Sequence, residues 1–340
     1  MLLLCVESSC DETAAAVVRD GRQVLSNVVA SQIDVHARYG GVVPELASRK
    51  HVEAIAVVIG EALAAAGVNI KQLEGIAATR GPGLIGALLV GLSTAKALAY
   101  ARGIPLAAVH HMEGHILAPL LEQRIDFPFL ALAVSGGHTN LYRVDGIGRY
   151  RTLGQTRDDA AGEAYDKIAK LLGLGYPGGA LLDKLAGKGD PEAIRFPRPM
   201  LNKPGFEFSF SGIKTAVSRY VQEQDGKITG SHLADLAAGF QAAVVDVLTA
   251  KTLAAAEAES LRRIVVAGGV ACNSGLRESF AQLARDRHLE VFFPKPSLCG
   301  DNAAMLGVAA DHYLACGLAS PLSVNAVASW PLDTVDPATV

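Results

Sequence analysis

Six short apolar runs that stop abruptly at small or polar residues constrain this chain more than any other feature: "LLLCVESSCDE", "GIAATRGPG", "PLAAVHHMEG", "FLALAVSGGHTN", "RIVVAGGVACN" and "EVFFPKPSLCGDN". Each reads as a buried strand whose C-terminal end carries chemically useful side chains. Between them lie helical patterns such as "KHVEAIAVVIGEALAAAG", in which Val52, Ile55, Ile59 and Leu63 fall on one face. Strands alternating with helices imply an α/β chain with mostly parallel sheets. Open sheets of this kind bind ligands at the carboxyl ends of their strands. A looser echo runs inside the chain: residues 75–115 and 263–302 each read strand, Gly-rich turn, helix, strand and then a polar segment. If the halves are related, the two final segments face each other across a cleft and Asp301 approaches His111 and His115.

The segment "HHMEGH", residues 110–115, invites comparison with the H-E-x-x-H helix of zinc proteases. His111 and His115 have the i, i+4 spacing that stacks two imidazoles on one helical face. The glutamate of a protease follows the first histidine directly, where it polarises the metal-bound water; Glu113 comes two residues after His111. The spacing alone fits a metal pair and a capped, partly buried helix start equally well. Two histidines and one carboxylate with open positions suit iron(II) or zinc. Asp301 and Asn302 could also simply cap "NAAMLGVAADHYLACG".

At 340 residues the chain has room for about two domains with their own cores. Half the residues are hydrophobic and 35 are glycine, a balance that suits tight strand-to-helix turns and argues against disorder. A net charge of −3 gives no global attraction to nucleic acid, so RNA contact must rest on local patches or on partners. Five cysteines without a C-x-x-C pair suit reduced thiols and a cytosolic setting. The opening "MLLLCV" is too short for a signal peptide, and "GLIGALLVGLSTAKALAY" carries Lys96 and reads as a buried helix.

"ESSCDET" and "VSGGHTN" share a form: an apolar strand, a small-residue turn and a second apolar run. Such turns let backbone N–H groups approach a phosphate. With a third turn at "VAGGVACN", the pattern resembles the actin, sugar-kinase and Hsp70 (ASKHA) superfamily, in which two related lobes hold a nucleotide. No Walker A loop occurs.

Taken together, "ESSCDET", "SQIDVHARYGGVVPELASRKHV", "GPGLIGALLVG", "HHMEGH", "VSGGHT", "DDAAGEAYDKIAKLLGLGYPGG", "FSFSGIKT", "VAGGVACN" and "CGDNAAM" resemble, nearly end to end, the universal tRNA N6-adenosine threonylcarbamoyltransferase family, TsaD in bacteria. The resemblance implies an N-terminal ASKHA-like lobe at 1–125, a C-terminal lobe at 126–310, a tail at 311–340 packed back on the first lobe, and an active site in the cleft. It implies a metal held by His111, His115 and Asp301, with iron(II) ahead of zinc(II). It places the donor, threonylcarbamoyl-adenylate, on Ala133, Val134, Ser135, Gly136 and Gly137, with Asp166, Gly179 and Asp183 at the ribose and Asn273 by the nucleotide. The acceptor is N6 of adenosine 37 in tRNAs reading codons that begin with A, and AMP leaves. Asp11 and Glu12 are the candidates for orienting the acceptor or taking its proton. Arg195, Arg198, Lys203 and Lys214 are candidates for the tRNA backbone. Family members work with an inactive paralogous subunit (TsaB-like) and a P-loop ATPase (TsaE-like), and no membrane is involved.

The departures are Cys5 for a glycine, Gly300 for the threonine before Asp301, Ala303 for a glycine and Ser274 for an arginine. None removes an expected ligand, although Gly300 puts in doubt any hydroxyl beside the metal. The rival readings are a nucleotide-dependent kinase or ATPase of the same fold, a non-catalytic scaffold and a metalloprotease, the last disfavoured by the position of Glu113.

Overall fold

The computed structural model describes residues 1–224 and 228–336. All six apolar runs form strands. In the first sheet β1 (Leu2–Glu7), β2 (Glu12–Arg19) and β3 (Gln23–Ser31) are joined by tight turns, and β4 (Gly75–Gly81) and β5 (Leu106–His110) follow. The spatial order is β3-β2-β1-β4-β5. β1 pairs antiparallel with β2 and parallel with β4, and β5 pairs parallel with β4. The second sheet holds β6 (Phe129–Val134), β7 (Thr139–Gly146), β8 (Arg149–Gln155), β9 (Arg263–Ala267) and β10 (Glu290–Phe292) in the order β10-β9-β6-β7-β8. Read from the far edge, 8-7-6-9-10 is 3-2-1-4-5 moved on by five strands, so the echo heard in the sequence is a repeated topology.

Ten helices complete the described fold: α1 (Ile33–His36), α2 (Pro44–Ala66), α3 (Ile85–Arg102), α4 (His111–Leu117), α5 (Ala161–Leu171), α6 (Gly178–Ala186), α7 (Ser211–Glu223), α8 (Gly230–Ala258), α9 (Ser274–Arg287) and α10 (Gly307–Ala315). α2 starts with Pro44 in its first turn and stops at Gly67, whose φ of 63° closes a left-handed cap; α3 stops at Gly103 in the same way. The apolar face of α2 differs from the expected one. His51, Ile55, Val58, Ile59 and Ala62 point inward, whereas Val52 is 65% exposed. The reason is His51, which the apolar pattern does not count. Its Nε2 donates to the Cys10 carbonyl at 2.9 Å and its Nδ1 lies 2.8 Å from the Thr13 hydroxyl, so the polar ring fills the inward position.

The chain divides into two compact units. The first comprises Met1–Phe127, Val144–Arg151 and the chain from Pro294 onward; the second comprises Pro128–Arg143 and Thr152–Phe293. Residues 294–310, expected in the C-terminal lobe, therefore group with the first unit. Within that unit Lys295 N–H donates to Glu122, and Asn302 lies 3.5 Å from the Asn27 amide. Of the expected tail, residues 337–340 lie outside the described residues. Among the described helices α8, not α3, is long and apolar enough to cross a membrane, but 72% of its apolar window is buried, as in a core helix. All five cysteines are free thiols.

Candidate metal centre and ligand pocket

The first unit builds its site where β5 runs into α4. His110 is buried. Its Nδ1 accepts the Met112 N–H at 3.1 Å and its Nε2 donates to the Trp330 carbonyl at 2.8 Å. The first histidine of the segment is thus the capped helix start. The other two do something else. His111 and His115 meet edge to face with centroids 4.7 Å apart, and Asp301 Oδ1 lies 3.0 Å from His115 Nε2 and 3.7 Å from His111 Nε2. One ligand atom from each of the three lies within 4.8 Å of the others. Neither Asp301 nor Asn302 caps α10, which begins at Gly307; Asn302 Oδ1 accepts the Met305 N–H at 3.1 Å in the turn before it, and Asp301 faces the imidazoles. Two buried imidazoles, one carboxylate and an imidazole nitrogen without a partner (His115 Nδ1) form a donor set that fits a divalent cation.

Charge at this place is closely balanced. Burial alone would depress His111, but the carboxylates of Asp301 and Glu7 outweigh it and raise its pKa to about 9. Burial would raise Glu7, yet His111 and the Thr79 hydroxyl hold it below its ordinary value. A proton on His111 thus stands where a cation would bring positive charge. Glu12, the first residue of β2, is pushed up to about 9 by burial and by the neighbouring charges of Asp11 and Asp301. Asp11 is itself buried. The first unit therefore brings Asp11, Glu12, His111, His115 and Asp301 into one electrostatic neighbourhood.

Glu113 is not part of it. Its Oε1 accepts the hydroxyls of Tyr150 and Tyr313, both at 2.5 Å, and the Gly148 N–H at 3.2 Å. The carboxylate is committed to these three donors, which removes the base that a metalloprotease needs.

The second unit holds a cavity of about 270 Å³ lined by Gly136, Asp166, Gly179, Asp183 and Asn273, all expected there, together with Tyr165 and Gly269. Ala133 and Val134 are fully buried in β6, and Ser135 and Gly137 form the turn without lining the cavity. Gly136, Gly137, Gly179 and Gly269 have no left-handed φ, and nothing lies within 4 Å of where a Cβ would stand. Neither backbone strain nor a protein neighbour requires glycine at these places. At the three that line the cavity, the absent side chain leaves room for a ligand against the backbone. Gly162 is the opposite case, since a Cβ there would meet the Ser135 carbonyl at 2.6 Å.

Asn273 caps α9 through Oδ1, which accepts the Leu276 N–H at 2.9 Å; its Nδ2 points to Gln241 Oε1 at 2.8 Å and Asp183 Oδ1 at 3.1 Å. Asp183 also accepts the Ser274 N–H and hydroxyl, and Asp166 accepts the Gly178 N–H at 2.7 Å. Both carboxylates are thereby held in fixed orientations. Tyr165, Gln241, Glu7 and Thr79 were missed in the sequence. A polar Gln241 inside "AAGFQAAVV" and a glutamate ending the apolar β1 were the available signals. Of the basic candidates, Arg195 pairs with Glu192, Arg198 with Asp246 and Lys214 with Asp159. These three are compensated cations.

The family model TsaD, described as tRNA N6-adenosine threonylcarbamoyltransferase, matches residues 23–308. Relatives bearing that description include one from Syntrophotalea carbinolica, 69% identical over 333 residues (98% of this chain, 97% of the relative). Another from Geotalea uraniireducens is 63% identical over 335 residues, covering 98% of each. Among solved structures, HypF from T. kodakarensis aligns with a TM-score of 0.61 at 15% identity over 91% of this chain and 47% of its own. Component A of the (R)-2-hydroxyglutaryl-CoA dehydratase of Acidaminococcus fermentans aligns at 0.57 and 15% identity, over 93% and 99%. At such identities the likeness is one of fold, the ASKHA type.

Proposed function

Because the chain belongs to the tRNA N6-adenosine threonylcarbamoyltransferase family, we propose that it transfers the threonylcarbamoyl group from threonylcarbamoyl-adenylate to N6 of adenosine 37 in tRNAs reading codons that begin with A, releasing AMP. The observation that carries the metal-assisted form of this reading is the His111–His115–Asp301 trio. A divalent ion held there, iron(II) ahead of zinc(II) for two imidazoles and one carboxylate with open positions, supplies Lewis acidity that neutralises developing charge.

The residues of the chain do the remaining work. Gly136, Gly179 and Gly269 admit the donor's nucleotide against the backbone, and Asp166 and Asp183 accept hydrogen bonds from ribose hydroxyls in orientations fixed by Gly178 and Ser274. Asn273 lies beside them. The adenine amino group is a poor nucleophile because its lone pair is delocalised into the ring, so a proton must leave N6 as the bond to the carbamoyl carbon forms. Asp11 and Glu12, the acidic pair in the same electrostatic neighbourhood as Asp301, are the groups that orient the acceptor amine or take that proton.

The working assembly contains tRNA, an inactive paralogous subunit and a P-loop ATPase, in the cytoplasm. The pairing of Arg195, Arg198 and Lys214 with carboxylates supports sharing of RNA affinity among subunits. Incubation with these partners, donor and unmodified tRNA, followed by digestion to nucleosides and mass spectrometry, should yield threonylcarbamoyladenosine. Its absence beside a competent positive control overturns the reading. His111→Ala should lose bound metal and product together, and product formed without metal refutes the Lewis-acid role.

A further inference from the structure

Glu7 ends β1, the central strand of the first sheet, and is completely buried. A carboxylate is not tolerated there without partners. It has three. Ser9 N–H donates to Oε1 at 2.5 Å, the Thr79 hydroxyl donates to Oε2, and His111 Nδ1 lies 3.3 Å from that same Oε2. The sheet register explains the meeting: β1 and β4 are paired at Val6 and Ala78, which puts Glu7 and Thr79 one step further on, level with the end of β5. Ser9 Oγ also lies 3.1 Å from His111 Nδ1.

The two nitrogens of His111 therefore have different surroundings. Nδ1 faces Glu7, whereas Nε2 faces Asp301. Glu7 Oε2, at 3.3 Å, is within hydrogen-bond reach of Nδ1, whereas Asp301 Oδ1, at 3.7 Å, is beyond that of Nε2; in the neutral ring the proton therefore has its carboxylate acceptor at Nδ1, which leaves the Nε2 lone pair to the metal. His115 has no such support, because its Nδ1 is buried without a hydrogen-bond partner. We propose that Glu7 is a positioning residue of the metal centre: by accepting the Nδ1–H hydrogen bond of His111, it fixes that ring's tautomer and orientation and makes His111 the preorganised ligand of the pair.

This rests on the metal reading of the His111–His115–Asp301 trio, and zinc(II) alone is the probe that tests the two separately. Zinc affinity of the full chain is measured by competition with a chromophoric chelator, and imidazole ¹⁵N shifts are recorded on the zinc-loaded protein. Wild type should bind one zinc with His111 protonated at Nδ1 and ligated through Nε2. Glu7→Gln should weaken binding roughly 10- to 100-fold. Thr79→Val, which releases one tether of Glu7 and keeps its charge, should weaken it less, in the same direction. Ser9→Ala should leave the His111 tautomer unchanged. Wild-type zinc affinity in Glu7→Gln, a His111 ligated through Nδ1, or loss of the tautomer in Ser9→Ala overturns the proposal while leaving the metal reading intact. Failure of the wild-type chain to bind zinc overturns both. The wild-type spectra decide the matter even if Glu7→Gln does not fold.

Discussion

Glu113 sits two residues from each histidine of the metal trio and serves neither. Burial raises its pKa against the opposing hydrogen bonds from Tyr150, Tyr313 and Gly148. Removing the carboxylate strands the hydroxyl protons of Tyr150 and Tyr313 away from water, while the Gly148 N–H keeps only its 3.3 Å bond to the Tyr150 hydroxyl. Glu113→Ala should therefore destabilise the fold by about 3 kcal/mol, since each buried group left unpaired costs about 1–3 kcal/mol, yet zinc stoichiometry should stay at that of wild type. Chemical denaturation with a parallel metal assay checks both; lost metal with unchanged stability would put Glu113 back at the centre. Sequence spacing could remove Glu113 from a protease role but could not say what it does, because Tyr313 is 200 residues away. By contrast, the i, i+4 pair was legible, since helical geometry alone sets it. His110 was not legible: a capped helix start was weighed only for the His111–His115 pair, and neither the cap that His110 makes nor its Nε2 bond to Trp330, 220 residues on, was foreseen.

At the level of elements, β5 is an edge strand of the first sheet, and the C-terminal segment covers it. Ser320 N–H donates to the Leu106 carbonyl at 2.8 Å, and Ala108 N–H donates to Ser320 Oγ at 2.8 Å. Further along, Val327 N–H bonds to the Arg80 carbonyl and Gly83 N–H to the Ala328 carbonyl, while Val324 enters the core. An uncovered edge is a template for pairing with another chain. Deleting the chain from Leu318 onward should lower the melting temperature and produce oligomers in light scattering; a monodisperse product of unchanged stability would contradict the covering role. Apolar runs located every strand of both sheets that the six quoted segments began. That the C-terminal segment returns to the first lobe was expected from the family resemblance alone; its pairing in detail was not readable, because its polar backbone bonds to strands over two hundred residues upstream and leaves no periodic mark.

Across the molecule the repeated topology was legible, but the allegiance of Asp301 was not. Composition and pattern assign residues 294–310 to whatever precedes them; contacts such as Asn302 with Asn27 assign them to the first unit. The metal trio thus belongs to a single unit and shares its stability. In the metal-free chain, His111 titrates near 9 instead of its ordinary 6.5, and Glu12 near 9 instead of 4.5. Over those intervals the folded state keeps protons that the unfolded state has released, so stability falls as pH rises. The melting temperature of metal-stripped protein should decline from about pH 6.5 to about pH 9. Glu12→Gln should flatten the decline in part, and bound zinc should remove the His111 share. A melting temperature that climbs across that window would refute these assignments.

Trp330 is the sole tryptophan of the chain. Its ring lies 4.8 Å from His110 at a 51° tilt, with the Arg80 guanidinium 4.8 Å over its face, one residue along the chain from a metal ligand. The C-terminal segment thus sets an optical gauge against His110, the N-cap of α4. Excited selectively, the unlabelled protein should change its emission intensity as zinc is titrated in, and His111→Ala should abolish that response without altering the starting spectrum.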